Sequence, residues 1–178
     1  NRYTKAIEHF EKCMELDGDD PLALCYIGEC HEQLNQLELA RHYYKRSLEL
    51  APMLPDSWLG LGIVEDMEGN TQEGLTLILK ASELDPDNPS IYHVLAGAYE
   101  KLEERDKAIE YYQLVIDAYS HDILADDAIF RIAQTYDIFL KDPENAQKYY
   151  KELILNYSNS VFINDARKRY RTLRGDFN

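Results

Sequence analysis

"ARHYYKRSLEL", residues 40–50, contains a tyrosine doublet that returns later in the chain. The doublet reappears in "AIEYYQLVIDA" at 108–118 and in "AQKYYKELIL" at 146–155. The first two doublets are 68 residues apart, and Leu77-Ile78 lies halfway between them. A bulky apolar residue therefore recurs every 34 residues, at Phe10, Tyr44, Ile78 and Tyr112. Self-similarity at a fixed period predicts an array of repeated supersecondary units.

Helical periodicity runs through the whole chain between short breaks rich in Pro, Asp, Asn and Gly. Pro21, Pro55, Pro89 and Pro143 each follow such a break, in the place where Pro suits the first turn of a helix. No segment has the alternating pattern of a strand. The sequence predicts helices over 3–16, 21–34, 37–50, 55–68, 71–84, 89–102, 105–118, 124–139, 143–156 and 161–174.

Frames of 34 residues that begin at Pro21, Pro55 and Pro89 share a fixed set of residue types. The eighth and twentieth positions are small, the twenty-fourth is bulky, and a Pro stands near the end of the first two frames. "SWLGLGIVEDM" at 57–67 and "IYHVLAGAYEKL" at 91–102 match the pattern W-x2-L-G-x2-Y. The sequence here resembles the tetratricopeptide repeat family. Small residues would let paired helices approach closely, and Trp58 is expected to be buried within its repeat.

That resemblance implies an all-α fold, a right-handed α-solenoid of antiparallel helix pairs, formed by residues 1–178 as a single array. Residues 1–20 match only the second helix of a repeat, so we expect either a longer array upstream or an atypical N-terminal cap. Residues 161–178 resemble the polar capping helix and tail that a solenoid needs. The repeats between them are expected at 21–54, 55–88, 89–125 and 126–160.

The last repeat departs from the 34-residue frame. Its first helix aligns only if the frame starts at Asp126, and Tyr149-Tyr150 then requires one further residue. The residue pattern of the first helix also changes, to "ADDAIFRIAQTY" at 125–136. Residues 118–174 resemble the tetratricopeptide variety found in bacterial outer-membrane assembly lipoproteins and Tol-Pal coordinators.

Net charge argues against a nucleic-acid ligand, since the chain carries −14 and would repel a polyanion over most of its surface. Residues 161–178 are an exception, because they carry five basic residues. These residues are interpreted either as the solvated face of a cap helix or as a contact surface for an anionic lipid or nucleic acid. Three cysteines favour a reducing compartment such as the cytoplasm, with the periplasm or cell envelope as the alternative. No stretch is apolar enough to predict a transmembrane segment.

Catalytic and cofactor motifs are missing from the sequence. It contains no GxSxG, P-loop, GxGxxG or HExxH pattern, so we expect no enzyme, no catalytic residue and no cofactor. Cys25, Cys30 and His31 are the nearest approach to a metal site, but their spacing does not place them on one face. Ordinary packing is the preferred interpretation, and no metal is expected.

A ligand-binding groove is what the resemblance implies instead. In the family the first helix of each repeat lines the concave surface, and its inward positions carry seven acids and one Lys in this chain. The predicted peptide-binding groove residues are Glu29, Glu32, Asp56, Leu59, Ile63, Asp66, Met67, His93, Glu100, Lys101, Asp127, Phe130 and Asp137. The carboxylate clamp of chaperone-binding members, made of Lys, Asn and Arg, is absent.

Leu59, Ile63 and Met67 are expected to form an apolar patch ringed by acids, which suits a segment with apolar anchors and Lys or Arg flanks. An equally open interpretation is that the acids serve only solubility. The sequence predicts a non-enzymatic scaffold for a protein or peptide ligand. The alternatives are an assembly component of a bacterial cell-envelope complex and a regulatory module fused to an enzyme. The sequence identifies neither the partner nor the oligomeric state.

Overall fold

Helices joined by short turns make up the chain wherever its structure is described, in residues 2–118 and 123–176 of a computed structural model. No β-strand occurs in these residues, which confirms the all-α repeat fold. Their helices are α1 (Arg2–Asp17), α2 (Pro21–Gln33), α3 (Leu37–Leu50), α4 (Pro55–Met67), α5 (Thr71–Leu84), α6 (Pro89–Lys101), α7 (Arg105–Ala118), α8 (Ile123–Gln134), a π-helix (Thr135–Leu140), α9 (Pro143–Asn156) and α10 (Ile163–Arg174). The predicted loop residues 119–122 and the tail residues 177–178 lie outside the described ranges.

Helix starts follow from local sequence. The Asp20 carboxylate accepts a hydrogen bond of 2.8 Å from the backbone N–H of Ala23, and Pro21 occupies the first turn. Asp142 caps α9 in the same way, with 3.1 Å to the N–H of Asn145. These caps satisfy backbone donors that have no partner within the helix, so the predicted boundaries agree with the observed ones to within a few residues.

The turn inside each repeat uses one left-handed residue. Its φ lies between 55° and 91° in all four repeats, at Asn35, Gly69, Glu103 and Lys141. The first three are spaced by 34 residues, and the last comes later because the fourth repeat is longer. Only one of them is glycine, so tight helix-to-helix connection outweighs the steric cost of a Cβ in this conformation.

Residues 1–91 form one compact unit. Ser47 Oγ at the end of α3 donates to the carbonyl oxygen of Pro21 at the start of α2, over 2.7 Å, so the two helices run antiparallel. Gly62 of α4 and Gly74 of α5 lie so close that a Cβ on Gly74 would be 2.6 Å from the Gly62 carbonyl oxygen. The small residues of the repeat pattern therefore permit the close approach that the sequence predicted.

Tyr44 occupies the space between two neighbouring repeats. Its ring is 2% exposed and lies against Gly28 of its own repeat and Gly60 of the next, leaving no room for a Cβ at either glycine. Buried aromatic rings of this size contribute strongly to core packing. The bulky residue at the twenty-fourth position thus has the packing role that its period indicated.

Residues 92–178 form the second compact unit. Its fully buried side chains include Leu95 of α6, Tyr112 of α7, Ile129 and Ile132 of α8, and Tyr150 and Leu153 of α9. Helix α10 closes this core through Ala166, and Phe162 just before it stacks on Phe130 with ring centroids 4.5 Å apart. The C-terminal helix therefore packs on the last repeat, and its role as the capping helix of the array stays a prediction.

The π-helix accounts for the extra residue of the fourth repeat. A π-helix arises when one residue is inserted into an α-helix and hydrogen bonds locally span five residues instead of four. It follows α8 without a break, so the first helical segment of this repeat is longer than α2, α4 or α6. The inserted residue is thus absorbed within helix rather than in the loop.

Trp58 corrects one expectation. It is half-buried rather than buried, and its indole N–H donates to the carbonyl oxygen of Pro52 over 2.9 Å. Indole carries a polar N–H that needs a partner, and here the edge of the repeat supplies one. Gly60 and Gly62 on the same helix are buried instead.

Candidate functional site

A cleft of about 310 Å³ opens between α2 and α4 of the first unit. Five of the predicted groove residues line it: Glu29, Glu32, Asp56, Leu59 and Ile63. The remaining lining residues are Cys25, Tyr26, Gln33, Tyr44 and Gly60. The pairing of neighbouring repeats therefore brings residues about 30 positions apart in the sequence to one cleft.

Glycine at position 60 exposes the floor of this cleft. Because Gly60 has no side chain, the ring of Tyr44 approaches its backbone and faces the cleft. Leu59 and Ile63, one turn apart on α4, are half-buried and add an aliphatic wall. The cleft thus combines an apolar base with an acidic rim.

The Tyr44 hydroxyl donates to Glu32 Oε2 over 2.9 Å and holds that carboxylate at the cleft. Burial raises the pKa of Glu32, and the nearby charge of Glu29 raises it further, while the hydrogen bonds from Tyr44 and Gln33 lower it. Burial also raises the pKa of the Cys25 thiol to about 11, so this side chain stays protonated. Cys25 is a packing residue here and lacks the thiolate character of a nucleophile.

The acids of this cleft have no counter-charge among the side chains that the structure describes. Within the described residues, Glu29, Glu32 and Asp56 form no ion pair with Lys, Arg or His. Arg41, a cation of the same unit, is engaged elsewhere by Glu38, Glu65 and Glu68. Negative charge in a partly buried cleft without cations attracts cationic ligands.

Two other predicted residues of this unit lie outside the cleft lining. Asp66 accepts a hydrogen bond of 2.9 Å from Thr71 Oγ1, which ties the end of α4 to the start of α5. Met67 is the last residue of α4 and is 47% exposed. The apolar patch predicted from Leu59, Ile63 and Met67 is therefore supplied at the cleft by the first two residues.

In the second unit the related acids are neutralised by the chain itself. Glu100 accepts from the Tyr112 hydroxyl over 3.0 Å and lies 3.9 Å from Arg131 Nη1. Asp127 Oδ2 is 2.7 Å from His93 Nε2, and its Oδ1 is 3.5 Å from Arg131 Nε. Burial acts to raise the pKa of Asp127, but the hydrogen bond from His93 and the charge of Arg131 outweigh it and lower the pKa.

Phe130 and Asp137 have little surface left for a ligand. Phe130 is 7% exposed because it packs between Phe162 and Tyr150. Asp137 is 8% exposed and receives two hydrogen bonds from Arg169 of α10, at 2.7 Å and 2.8 Å. Lys101, the one predicted groove cation, is exposed at the end of α6.

The acid–tyrosine pairs were missed by sequence reasoning. The residue at the twelfth frame position accepts from the second tyrosine of each doublet, in the pairs Glu32–Tyr44, Glu100–Tyr112 and Asp137–Tyr150. The sequence does show the signal: an acid precedes the second tyrosine of each doublet by 12 residues in two repeats and by 13 in the last. The second tyrosine of each doublet is thus a core residue whose hydroxyl also donates the hydrogen bond that positions a carboxylate.

The described part of the chain gives little support for a metal site or a membrane-spanning helix. Within it, no three His, Cys, Asp or Glu side chains are arranged to hold a metal ion. His31 Nδ1 is instead 2.6 Å from Gln36 Oε1, and both Cys25 and Cys30 are free, buried thiols. None of the helices described has both the length and the apolar character needed to cross a membrane.

Family models described as the tetratricopeptide repeat match most of the chain. They cover residues 21–53, residues 1–20 and 89–122, and residues 127–160. Together these ranges exceed half of the 178 residues. The 55–88 repeat falls outside these matches, yet its helices α4 and α5 pair like those of the others.

Curated relatives include two subunits of the anaphase-promoting complex. Subunit 6 of Dictyostelium discoideum is 37% identical over 49 residues, which is 28% of this chain and 6% of that protein. Subunit 3 of Schizosaccharomyces pombe is 20% identical over 110 residues, which is 62% of this chain and 16% of that protein. The chain thus spans only a small part of the length of these relatives.

Solved structures share the fold at low identity. A chain of an APC/C hetero-tetramer superposes with a TM-score of 0.79 at 23% identity, over 94% of this chain and 33% of that one. MamA gives 0.72 at 20% identity, over 98% and 92% of the two chains. A thermophilic TPR protein from Thermus thermophilus gives 0.71 at 18% identity, over 97% and 91%.

Proposed function

Because the chain belongs to the tetratricopeptide repeat family, we propose that it is a non-enzymatic scaffold that binds a segment of another protein. The binding site is the cleft between α2 and α4. Its ligand is an extended or helical segment with an apolar anchor and Lys or Arg beside it. Relatives that are subunits of a multi-protein complex support a role in holding proteins together.

The observation that carries this proposal is the contrast between the two units. Glu100, Asp127 and Asp137 each have an Arg within 4 Å, whereas Glu29, Glu32 and Asp56 have no cation from the described residues. If acids served only solubility, nothing would favour gathering three of them around an apolar cleft. A ligand cation would supply the missing counter-charge.

Ligand chemistry follows from the walls of the cleft. Leu59, Ile63 and the ring of Tyr44 offer apolar surface to an aliphatic or aromatic side chain. Burial of such a side chain contributes about 1.5–3 kcal/mol. Rim carboxylates act mainly on the association rate and on specificity, so a ligand flanked by Lys or Arg is preferred over one flanked by acids.

The test is capture of partners from a native extract, followed by binding measurements with the purified partner. We expect Ile63→Asp to abolish binding, because a charge would occupy the apolar wall. Glu29→Lys and Asp56→Lys should slow association, since both side chains are exposed at the rim. Wild-type binding should weaken as salt rises, because the Debye length falls from about 30 Å at 0.01 M to about 10 Å at 0.1 M.

Leu39→Asp is the matched control, since Leu39 is an exposed apolar residue of the same unit that does not line the cleft. Circular dichroism of every variant checks that the helices are retained. A partner that binds Ile63→Asp and the two charge reversals as well as wild type would place the site elsewhere.

The alternative role in envelope assembly rests on the residue pattern of 118–174 and stays a prediction. Fusion to an enzyme also stays a prediction. Both are compatible with a scaffold, because each would use a protein-binding array. Localisation of the native protein, by fractionation, distinguishes the envelope from the cytoplasm.

A further inference from the structure

A second cleft, of about 430 Å³, lies on the second unit and shares no residue with the first. Helix α7 contributes Asp106, Ile109, Glu110 and Leu114 to it, and Tyr136 and Tyr149 form the facing wall. The sequence frame assigned none of these residues to a binding surface. They belong to the second helices of repeats and to the π-helix.

The π-helix, which supplies Tyr136 to the cleft, also carries exposed apolar side chains. Ile138, Phe139 and Leu140 are between 41% and 53% exposed, in three successive residues. The Arg105 guanidinium lies 4.0 Å from the ring centroid of Phe139, which places Phe139 beside the start of α7 and next to Asp106. Exposed apolar side chains beside a cleft, such as Phe139, are found at interaction sites, and π segments inside helices occur frequently at functional sites.

The tyrosine wall is held in place before any ligand arrives. The Tyr136 and Tyr149 rings stack with centroids 5.8 Å apart and planes 10° apart. The Tyr149 hydroxyl donates to Gln113 Oε1 over 3.3 Å, which joins the wall to α7. Such preorganised aromatic side chains lose little conformational entropy on binding.

Charge at this cleft indicates the partner. Its charged lining residues, Asp106 and Glu110, are both acidic and exposed. Arg105 lies over the ring of Phe139 and Lys148 over that of Tyr149 at 4.9 Å, whereas Asp106 and Glu110 form no ion pair within the described residues. A ligand therefore meets apolar and aromatic surface with negative charge beside it.

We propose that Leu114, Phe139, Tyr136 and Tyr149, with Asp106 and Glu110, form a second protein-docking surface, here called the π-edge. It takes a short segment of a partner protein that carries an aliphatic or aromatic anchor next to Lys or Arg. This surface shares no residue with the α2–α4 cleft, so substitutions at one leave the lining of the other unchanged. The one-residue insertion of the fourth repeat creates the exposed apolar part of the π-edge.

The experiment selects a phage-displayed library of random 12-residue peptides on the whole chain. We expect one class of enriched peptides to combine an apolar or aromatic residue with Lys or Arg. Synthetic peptides of this class should lose at least 10-fold in affinity for Leu114→Asp and Phe139→Ser. They should bind Ile63→Asp as tightly as wild type.

Asp106→Lys and Glu110→Lys provide a second pair of variants, because both residues are exposed and their reversal leaves the core intact. They should weaken the same peptides, and salt should no longer weaken the remaining binding, because the attraction that salt screens has been reversed. Leu155→Asp is the control, since Leu155 is an exposed residue of α9 outside the π-edge. Thermal melts of all variants identify any loss of fold.

Three results would overturn the proposal. The first is a library without enriched peptides. The second is a set of peptides that all depend on Ile63, which would support the α2–α4 cleft and remove the π-edge. The third is binding that survives both Leu114→Asp and the charge reversals in folded variants.

Discussion

Glu32 and Asp127 are partly buried carboxylates whose surroundings act on them in opposite directions. Glu32 is in a cleft without cations, where burial and Glu29 raise its pKa. Asp127 is likewise affected by burial, but His93 and Arg131 lower its pKa overall. The first therefore favours protonation in the folded state, and the second favours ionisation.

Stability should respond to pH with opposite signs at these two residues. A raised carboxyl pKa means that Glu32 favours folding below its unfolded pKa and that this contribution is lost as pH rises through the folded pKa. Glu32→Gln should therefore be more stable than wild type at pH 7, and the advantage should disappear near pH 4. For Asp127 the contribution is present above the unfolded pKa and is lost as pH falls through the lower folded pKa, so Asp127→Asn should be less stable at pH 7. Urea unfolding at several pH values measures both differences, and equal signs at pH 7 would contradict the assignment.

At this scale the sequence identified which acids lie together but not what each one contacts. The frame assigned Glu29, Glu32 and Asp56 to a groove, and all three line one cleft, whose role as a binding site stays a prediction. It could not show that Arg169 binds Asp137, because the two are 32 residues apart and that distance does not match the repeat period. Trp58 was misjudged for a related reason: its hydrogen bond to Pro52 depends on turn geometry that the pattern does not contain.

Helix pairing within the first unit depends on glycine, and two substitutions test it. A Cβ at position 62 would lie 2.8 Å from the Gly74 carbonyl oxygen, which is backbone and cannot move aside. Gly62→Ala should thus destabilise by about 1–3 kcal/mol, as overpacking does. Gly97→Ala is the matched control in α6, where no described atom lies within 4 Å of the new Cβ. It should stabilise by about 0.5–1 kcal/mol, because alanine is the better helix former.

Chemical denaturation of the two variants measures these free energies. If Gly62→Ala were as stable as wild type, α4 and α5 would be further apart than described.

Helix boundaries were largely predictable because caps, prolines and period agree in this chain. The predicted helices at 37–50, 71–84 and 105–118 have the observed bounds. The π-helix could not be predicted, since an inserted residue leaves the apolar pattern of 124–139 nearly unchanged. The sequence showed only that one extra residue was needed, and the structure has a π-helix in that part of the repeat.

The charge of the whole molecule is unevenly distributed. Residues 1–91 carry 18 acidic and 7 basic side chains, whereas residues 92–178 carry 15 and 12. This difference explains why the cleft acids of the first unit lack cations while those of the second have them. A cationic ligand would thus be steered toward the first unit.

Stability in repeat proteins is set by each repeat and its nearest neighbours, so local damage should remain local. Arg169 tests this property because it neutralises Asp137, whose side chain is 4% exposed. Arg169→Ala leaves a buried carboxylate without its cation, which should cost about 3 kcal/mol. Hydrogen exchange should show lost protection in the π-helix, α9 and α10 and unchanged protection in α2 and α3. Arg167→Ala, an exposed arginine of the same helix, should have little effect in any region. Protection that falls evenly along the chain in Arg169→Ala would mean that the array unfolds as one cooperative body.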